Sequence, residues 1–150
     1  MLNIYLDTNI YIHGLLDPLT NSALILKEII ENEIIVTQSD YLFDEILFWF
    51  RNRKGKKYIG KVREYLLSIP RTEFINKYEW SLLVDKYHAI IDDKDDLPHI
   101  CSFFLGNCDY FITVNRKLTQ EKIKNKVNFI SPKGFIEMLG LESLNTINEI

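Results

Sequence analysis

Short β-rich runs alternate with longer stretches of helical periodicity along the chain. Residues 3–6 form an apolar run of strand formers halted by Asp7. Apolar positions at 23, 24, 26, 29 and 30 have the spacing of one helix face, with Asn21 or Ser22 placed to cap it. Ile34-Ile35-Val36-Thr37 is β-branched throughout and predicts a buried strand. Ser39 or Asp40 then caps a helix that reaches about Arg51. Residues 58–69 predict another helix, stopped by Pro70, and 71–75 a short strand. Residues 78–91 read as helix. So do 97–105, with Pro98 in the first turn, where a missing N–H costs nothing. Residues 110–113 and 127–130 predict two more strands, and 132–139 a last helix with Gly140 as its stop. The tail, 141–150, carries weak signals: it frays or packs on a partner.

Strands alternating with helices imply crossover connections, hence a mostly parallel sheet with helices on both faces. The apolar strands agree, since such sheets are covered on both sides. The 150 residues, 47% apolar, fit one domain spanning 1–150 with a sizeable core. No apolar run approaches the ~18–20 residues that cross a bilayer. The start carries no basic n-region of a secretory signal. Cys101 and Cys108 make no disulfide framework and read as small buried hydrophobes. The expectation is a soluble cytoplasmic domain with no membrane partner.

Sites in open parallel sheets form at the carboxyl ends of the strands. Asp7-Thr8-Asn9 follows the first strand. Thr37-Gln38-Ser39 closes the second, and the helix it opens carries Asp44 and Glu45. Asn115-Arg116 follows the run ending at Thr113, and Asp92-Asp93-Lys94-Asp95-Asp96 leads into the helix near Leu97. Glu45 shares a helix face with Leu42, Ile46 and Trp49. An ionised carboxylate there is costly unless paired or bound to a metal. Each feature also has an ordinary explanation. Glu45 fits a salt bridge, Asp7-Thr8-Asn9 a capping turn, and Asp95 or Asp96 the favoured charge at a helix start. Three carboxylates converging without a cation would repel and raise one another's pKa. A hard divalent ion such as magnesium, which takes oxygen ligands and keeps several waters, relieves that repulsion.

In this order the pieces resemble the PIN domain, the nuclease fold of VapC-type toxins and of several RNA-processing enzymes. Leu6-Asp7-Thr8-Asn9 resembles its opening D-[ST]-[NS] motif. Ser39 with Glu45 resembles the second, a serine at a helix start with an acid six residues on. Asp95-Asp96-Leu97-Pro98 resembles the D-D-x-P third motif, with Asp96 as the ligand. Thr113-Val114-Asn115 resembles the fourth, usually T-x-D. The match runs from residue 3 to about 140. Asn115 departs from the family's Asp: its amide oxygen still holds a water or a metal but brings no charge. That favours one metal over two; Asp93 is a candidate substitute, and loss of activity is the other consequence.

The resemblance implies a PIN-like three-layer α/β fold with a mostly parallel central sheet flanked by helices. It implies an Mg2+- or Mn2+-dependent endoribonuclease cutting single-stranded or looped RNA. Asp7, Glu45 and Asp96 would be the metal ligands, directly or through water. Asn115 would orient a water, with Asn9, Ser39 and Thr113 as hydrogen-bond groups behind them. It also implies the toxin of a toxin–antitoxin pair, homodimeric, with an antitoxin segment filling the acidic groove. Two rivals are a free-standing PIN nuclease of RNA maturation or decay, and a catalytically impaired PIN module binding RNA or protein, which Asn115 supports.

Net charge, 18 basic against 21 acidic side chains or −3, argues against a general nucleic-acid binder. Its distribution says more. Arg51, Arg53, Lys54, Lys56, Lys57, Lys61 and Arg63 occur in one acid-free stretch just before Glu64, with Tyr58 as a candidate base-stacking ring. Arg116, Lys117, Lys122, Lys124 and Lys126 form a second group. Both suit phosphates, and both also suit a solubilising surface. His13, His88 and His99 lack zinc spacing. His99, three residues after Asp96, reads as a helix-start partner or substrate contact before a general acid. No phosphate loop or G-x-G-x-x-G occurs. Phe43, Phe48, Trp49, Phe50, Phe103 and Phe104 read as core or dimer interface.

Overall fold

The computed structural model describes residues 1–145 of the chain. Its strands are β1 (Leu2–Leu6), β2 (Ile34–Ser39), β3 (Thr72–Ile75), β4 (Tyr110–Ile112) and β5 (Phe129–Ile130). They form one sheet in the order β3-β2-β1-β4-β5, every neighbouring pair parallel. The chain steps outward from β1 to β3, then returns to β4 beside β1 and steps outward the other way. The connections after β1 and β4 therefore part in opposite directions, which opens a crevice at their carboxyl ends.

The helices are α1 (Thr8–Leu16), α2 (Asn21–Glu31), α3 (Asp40–Arg53), α4 (Ile59–Ser68), α5 (Lys77–Trp80), α6 (Val84–Tyr87), α7 (Leu97–Leu105) and α8 (Pro132–Met138). They flank the sheet. Ile4, Tyr5 and Leu6 are consecutive and all fully buried, so β1 is covered on both faces as a central parallel strand must be. Val36, Phe111 and Ile112 extend the same core. Among the described residues no helix is long and apolar enough to cross a membrane.

The predicted strands all form, β4 and β5 somewhat shorter than expected and β2 reaching Ser39. Ser39 caps α3, its Oγ accepting from the Leu42 N–H at 3.0 Å. Three expectations change. The turn read at Asp7-Thr8-Asn9 opens a helix, α1, which periodicity does not reveal because Ile10, Tyr11 and Ile12 are all buried in succession. The cap of α2 is Thr20, whose hydroxyl accepts from the Ala23 N–H at 3.1 Å; Asn21 and Ser22 lie inside the first turn. The helix expected over 78–91 breaks into α5 and α6 with 3-10 turns at Ser81–Leu83 and His88–Ile90. Tyr78 and Leu82 there are mostly exposed, so no continuous apolar face is buried to propagate one helix.

Cys101 is a core residue, and the partly buried Cys108 points its thiol at Asn3 Oδ1; both are free. Gly140 follows α8 with φ +79°, the left-handed stop that favours glycine. The tail docks as far as it is described: Asn21 exchanges two hydrogen bonds with the Leu144 backbone, at 2.7 and 2.8 Å. The rest of the tail expectation, 146–150, lies outside the described residues.

Gly106 closes α7 against β2. A Cβ there would meet Thr37 Oγ1 at 2.4 Å, and that hydroxyl is held by Asn3 Oδ1 at 2.9 Å. Gly106→Ala is expected to destabilise the fold by about 1–3 kcal/mol. Chemical denaturation checks this, with Thr37→Ala in the same chain restoring part of the loss; an unchanged midpoint contradicts the packing described.

Candidate active site

Asp7 leaves β1 at the crevice. Its N–H donates to the Ile112 carbonyl at 3.0 Å, which continues the β1–β4 pairing past the strand end. Its Oδ1 accepts from the Thr8 N–H at 2.8 Å, capping α1. Its Oδ2 accepts from the Thr113 hydroxyl at 2.7 Å. The same Thr113 oxygen accepts from the Asn115 N–H at 3.0 Å, so the residues after β1 and β4 are tied to each other. Asn115 Oδ1 accepts from the Leu118 N–H at 3.2 Å and so starts the turn at Leu118–Gln120.

Glu45 reaches the crevice from α3. Its Oε1 accepts from the Thr8 hydroxyl at 2.7 Å and from His99 Nε2 at 2.5 Å. His99 Nδ1 pairs with the Tyr5 hydroxyl at 2.6 Å, and Tyr5 pairs with Ser39 Oγ at 3.1 Å. Tyr5 and Ser39 are fully buried and His99 nearly so. Burial opposes charge on His99, yet its hydrogen bond to Glu45 and the nearby Asp7 raise its pKa above the ordinary value. Burial likewise opposes charge on Glu45, and His99 with Thr8 outweighs it and lowers that carboxyl. The two form an ion pair between a buried imidazole and a carboxylate about one-third exposed.

Asp96 is placed differently. It stands at the start of α7, and its carboxylate caps nothing. Burial, then the charges of Asp7 and Asp93, push it up to about 7. Asp93 caps the turn at Lys94–Asp96, accepting from the Asp95 N–H at 2.9 Å.

One groove of about 360 Å3 is lined by Asp7, Asn9, Glu45, Asp93, Asp96 and Asn115, among others. Thr113 stands behind Asp7, and Ser39 acts at a remove, through Tyr5 and His99. His99 departs from the expectation of a helix-start or substrate contact: it is a buried link between Tyr5 and Glu45. Phe48 is 68% exposed and borders the groove instead of packing in the core, whereas Trp49 lines the groove and also packs against the core. Arg51, Arg53, Lys54, Lys56 and Lys57 are exposed and line no part of the groove. Lys57 Nζ lies 5.2 Å from the centroid of the Tyr58 ring, over the proposed stacking face. Arg116 lines a neighbouring cavity.

Two groups escaped the sequence reading. Tyr5 looks like any strand aromatic; the only hint is that a tyrosine in a central strand must find its hydroxyl a partner. Glu121 is buried although its stretch of sequence is rich in exposed lysines, its Oε1 accepting from the Asp92 N–H at 2.6 Å, and its charge contributes to the rise at Asp96. No motif marks it.

The donors facing the groove are oxygens, and Asp96 feels unbalanced negative charge. Both suit a hard divalent cation. Among the described residues no group of three or more His, Cys, Asp or Glu side chains is placed to hold a metal ion together. An ion that keeps several waters, as magnesium does, needs only one or two direct carboxylates.

A parallel sheet with acidic residues gathered at its switch point is an α/β fold of the PIN type. The chain belongs to the PIN domain family, whose model matches residues 3–117 and so takes in Asp7, Glu45, Asp96 and Asn115. The fold is similar to that of a chain in the VapBC2 structure from Rickettsia felis bound to a DNA fragment from their promoter. That match has a TM-score of 0.59 at 18% identity and covers 86% of this chain and 98% of the other. It is also similar to Mycobacterium tuberculosis VapC20, a sarcin–ricin loop cleaving toxin, with a TM-score of 0.55 at 11% identity, covering 72% and 86%. A chain of FitAB bound to an IR36 DNA fragment matches with a TM-score of 0.58 at 15% identity, covering 86% and 94%. No curated protein sequence matches the chain.

An acid whose pKa rises on folding, from 3.8 to about 7 for Asp96, binds more protons folded than unfolded across that interval. Stability then falls as pH rises through it. After chelation, wild type is expected to lose Tm relative to Asp96→Asn between about pH 4 and 7. Added Mn2+ is expected to raise the Tm of wild type more than that of the variant. Parallel curves for the two proteins would show that Asp96 carries no such strain.

Proposed function

We propose that this chain is an Mg2+- or Mn2+-dependent endoribonuclease acting on single-stranded or looped RNA, and the toxin of a toxin–antitoxin pair. The observation that carries the reading is the meeting of Asp7, Glu45, Asp96 and Asn115 from four separate segments in one groove. The VapC20, VapBC2 and FitAB folds support it by likeness. A cytoplasmic homodimer whose groove is filled by a segment of a small antitoxin completes the reading.

Asp7, Glu45 and Asp96 would hold the cation, one or two of them directly and the rest through water; when bound it would activate water and neutralise charge on the phosphate. The chain's own residues do the positioning. Thr113 and the Thr8 N–H fix Asp7 at the end of β1. Thr8 and His99 both hold Glu45 through Oε1, and Glu45 lines the groove. Asn115 borders the groove with its backbone tied to Thr113, so its amide orients water there. The second reading, a catalytically impaired module, draws on Asn115: it brings no charge, and its Oδ1 already accepts from Leu118.

Cleavage of a labelled, partly single-stranded RNA with and without Mn2+ tests the proposal. Asp7→Asn is expected to lower the rate by about 100-fold or more while the fold stays intact. Metal-independent cutting, or full activity in that variant, would refute the site. Asn115→Asp is expected to tighten Mn2+ binding measured by calorimetry. Failure of folded wild type to cut several RNAs with either metal would favour the impaired module.

A further inference from the structure

A second cavity, of about 610 Å3, opens at the carboxyl ends of β4 and β5. Pockets that hold small ligands span ~300–1,000 Å3. It shares Asn115 with the acidic groove, and Thr113, which holds Asp7, forms part of its wall. A ligand seated in it therefore lies one side chain away from the carboxylates.

The lining divides by chemistry. Val127 is buried, and Phe129 is half-buried with its ring edge-on to Phe111 at 5.3 Å, so part of the cavity lining is apolar and anchored on the core. Arg116 and Lys124 are exposed at its rim, and among the described residues neither pairs with a carboxylate. Between 116 and 126 the chain carries five basic residues and one acid, Glu121, which is buried. The amide of Asn125 adds a hydrogen-bonding group. An apolar stretch of lining with a cationic edge suits a flat ring bearing a phosphate. The neighbouring groove, dense in carboxylates, repels phosphates unless a cation screens them. A strand crossing that groove needs positive charge close beside it, and Arg116 directly follows Asn115 in the chain.

We propose that this cavity is a nucleotide subsite. It holds one nucleotide of the strand next to the phosphate at the groove, its base on Val127 and Phe129 and its phosphate between Arg116 and Lys124. The assignment rests on the nuclease reading for its role in cleavage, though nucleotide binding by the cavity does not require it.

The test uses the full chain in two arms. In the first, chelated, isotope-labelled protein is titrated by NMR with uridine or adenosine 5′-monophosphate, with inorganic phosphate in parallel. The nucleotide is expected to shift the amides of Arg116, Asn125 and Phe129. Phosphate alone is expected to leave Phe129 unmoved. Arg116→Ala with Lys124→Ala is expected to weaken nucleotide binding about tenfold. In the second, the same double variant is expected to raise KM for a short RNA about tenfold. Equal shifts from phosphate and nucleotide, or shifts confined to the acidic groove, would overturn the subsite. So would an unchanged KM in a cutting enzyme, with the nuclease reading left standing. Nucleotide binding in the cavity without any cleavage would support the subsite and reject the nuclease reading.

Discussion

The hydroxyl of Tyr5 sits at the centre of a sheet covered on both faces, where a polar group without a partner is costly. It is satisfied by His99 from α7 and by Ser39 at the start of α3. That one requirement ties the central strand to the two helices that carry the groove. His99 then has a single direction left for its other nitrogen, toward Glu45, and Glu45 is held against Thr8 at the start of α1. Strand, three helix starts and an acid are locked by five side chains. Buried polar networks of this kind rigidify a site when every member is paired.

The groove's acids fall into two kinds. Asp7 and Glu45 are satisfied by the protein: hydroxyls, an N–H and an imidazole surround them, and their geometry is fixed before any ligand arrives. Asp96 has burial and like charge around it and no donor. The fold thus holds two acids in place and leaves a third under electrostatic strain. Such an arrangement is stable enough to fold and still retains an appetite for positive charge.

Much of this was legible in the sequence. The β-branched and aromatic runs identify the strands, most plainly the inner three, β1, β2 and β4, since a central parallel strand is apolar on both sides. Asp7, Asp96 and Asn115 could be named because each follows a strand or opens a helix in a recognisable motif, and Glu45 because it shares an apolar helix face six residues after the Ser39 cap. What the sequence concealed depends on long-range burial. Ile10, Tyr11 and Ile12 are buried in a row, so α1 has no amphipathic signature. Tyr78 and Leu82 are apolar but exposed, so residues 78–91 look like one helix and are not. His99 and Tyr5 lie 94 residues apart, and no local pattern couples them. Glu121 is hidden in a lysine-rich stretch, where its surroundings suggest solvent.

The Thr113 hydroxyl, giving its proton to Asp7 and taking one from the Asn115 N–H, depends on β1 and β4 meeting with Leu6 opposite Ile112. Side chains alternate faces along a strand, so a slip of one residue would turn Thr113 away from Asp7. Such a chain would keep an apolar strand in the sheet yet lose the arrangement of its groove. The register of one three-residue strand thus acts as a proofreader of assembly. Only a chain paired in this register ties Asp7 to the residues that follow β4.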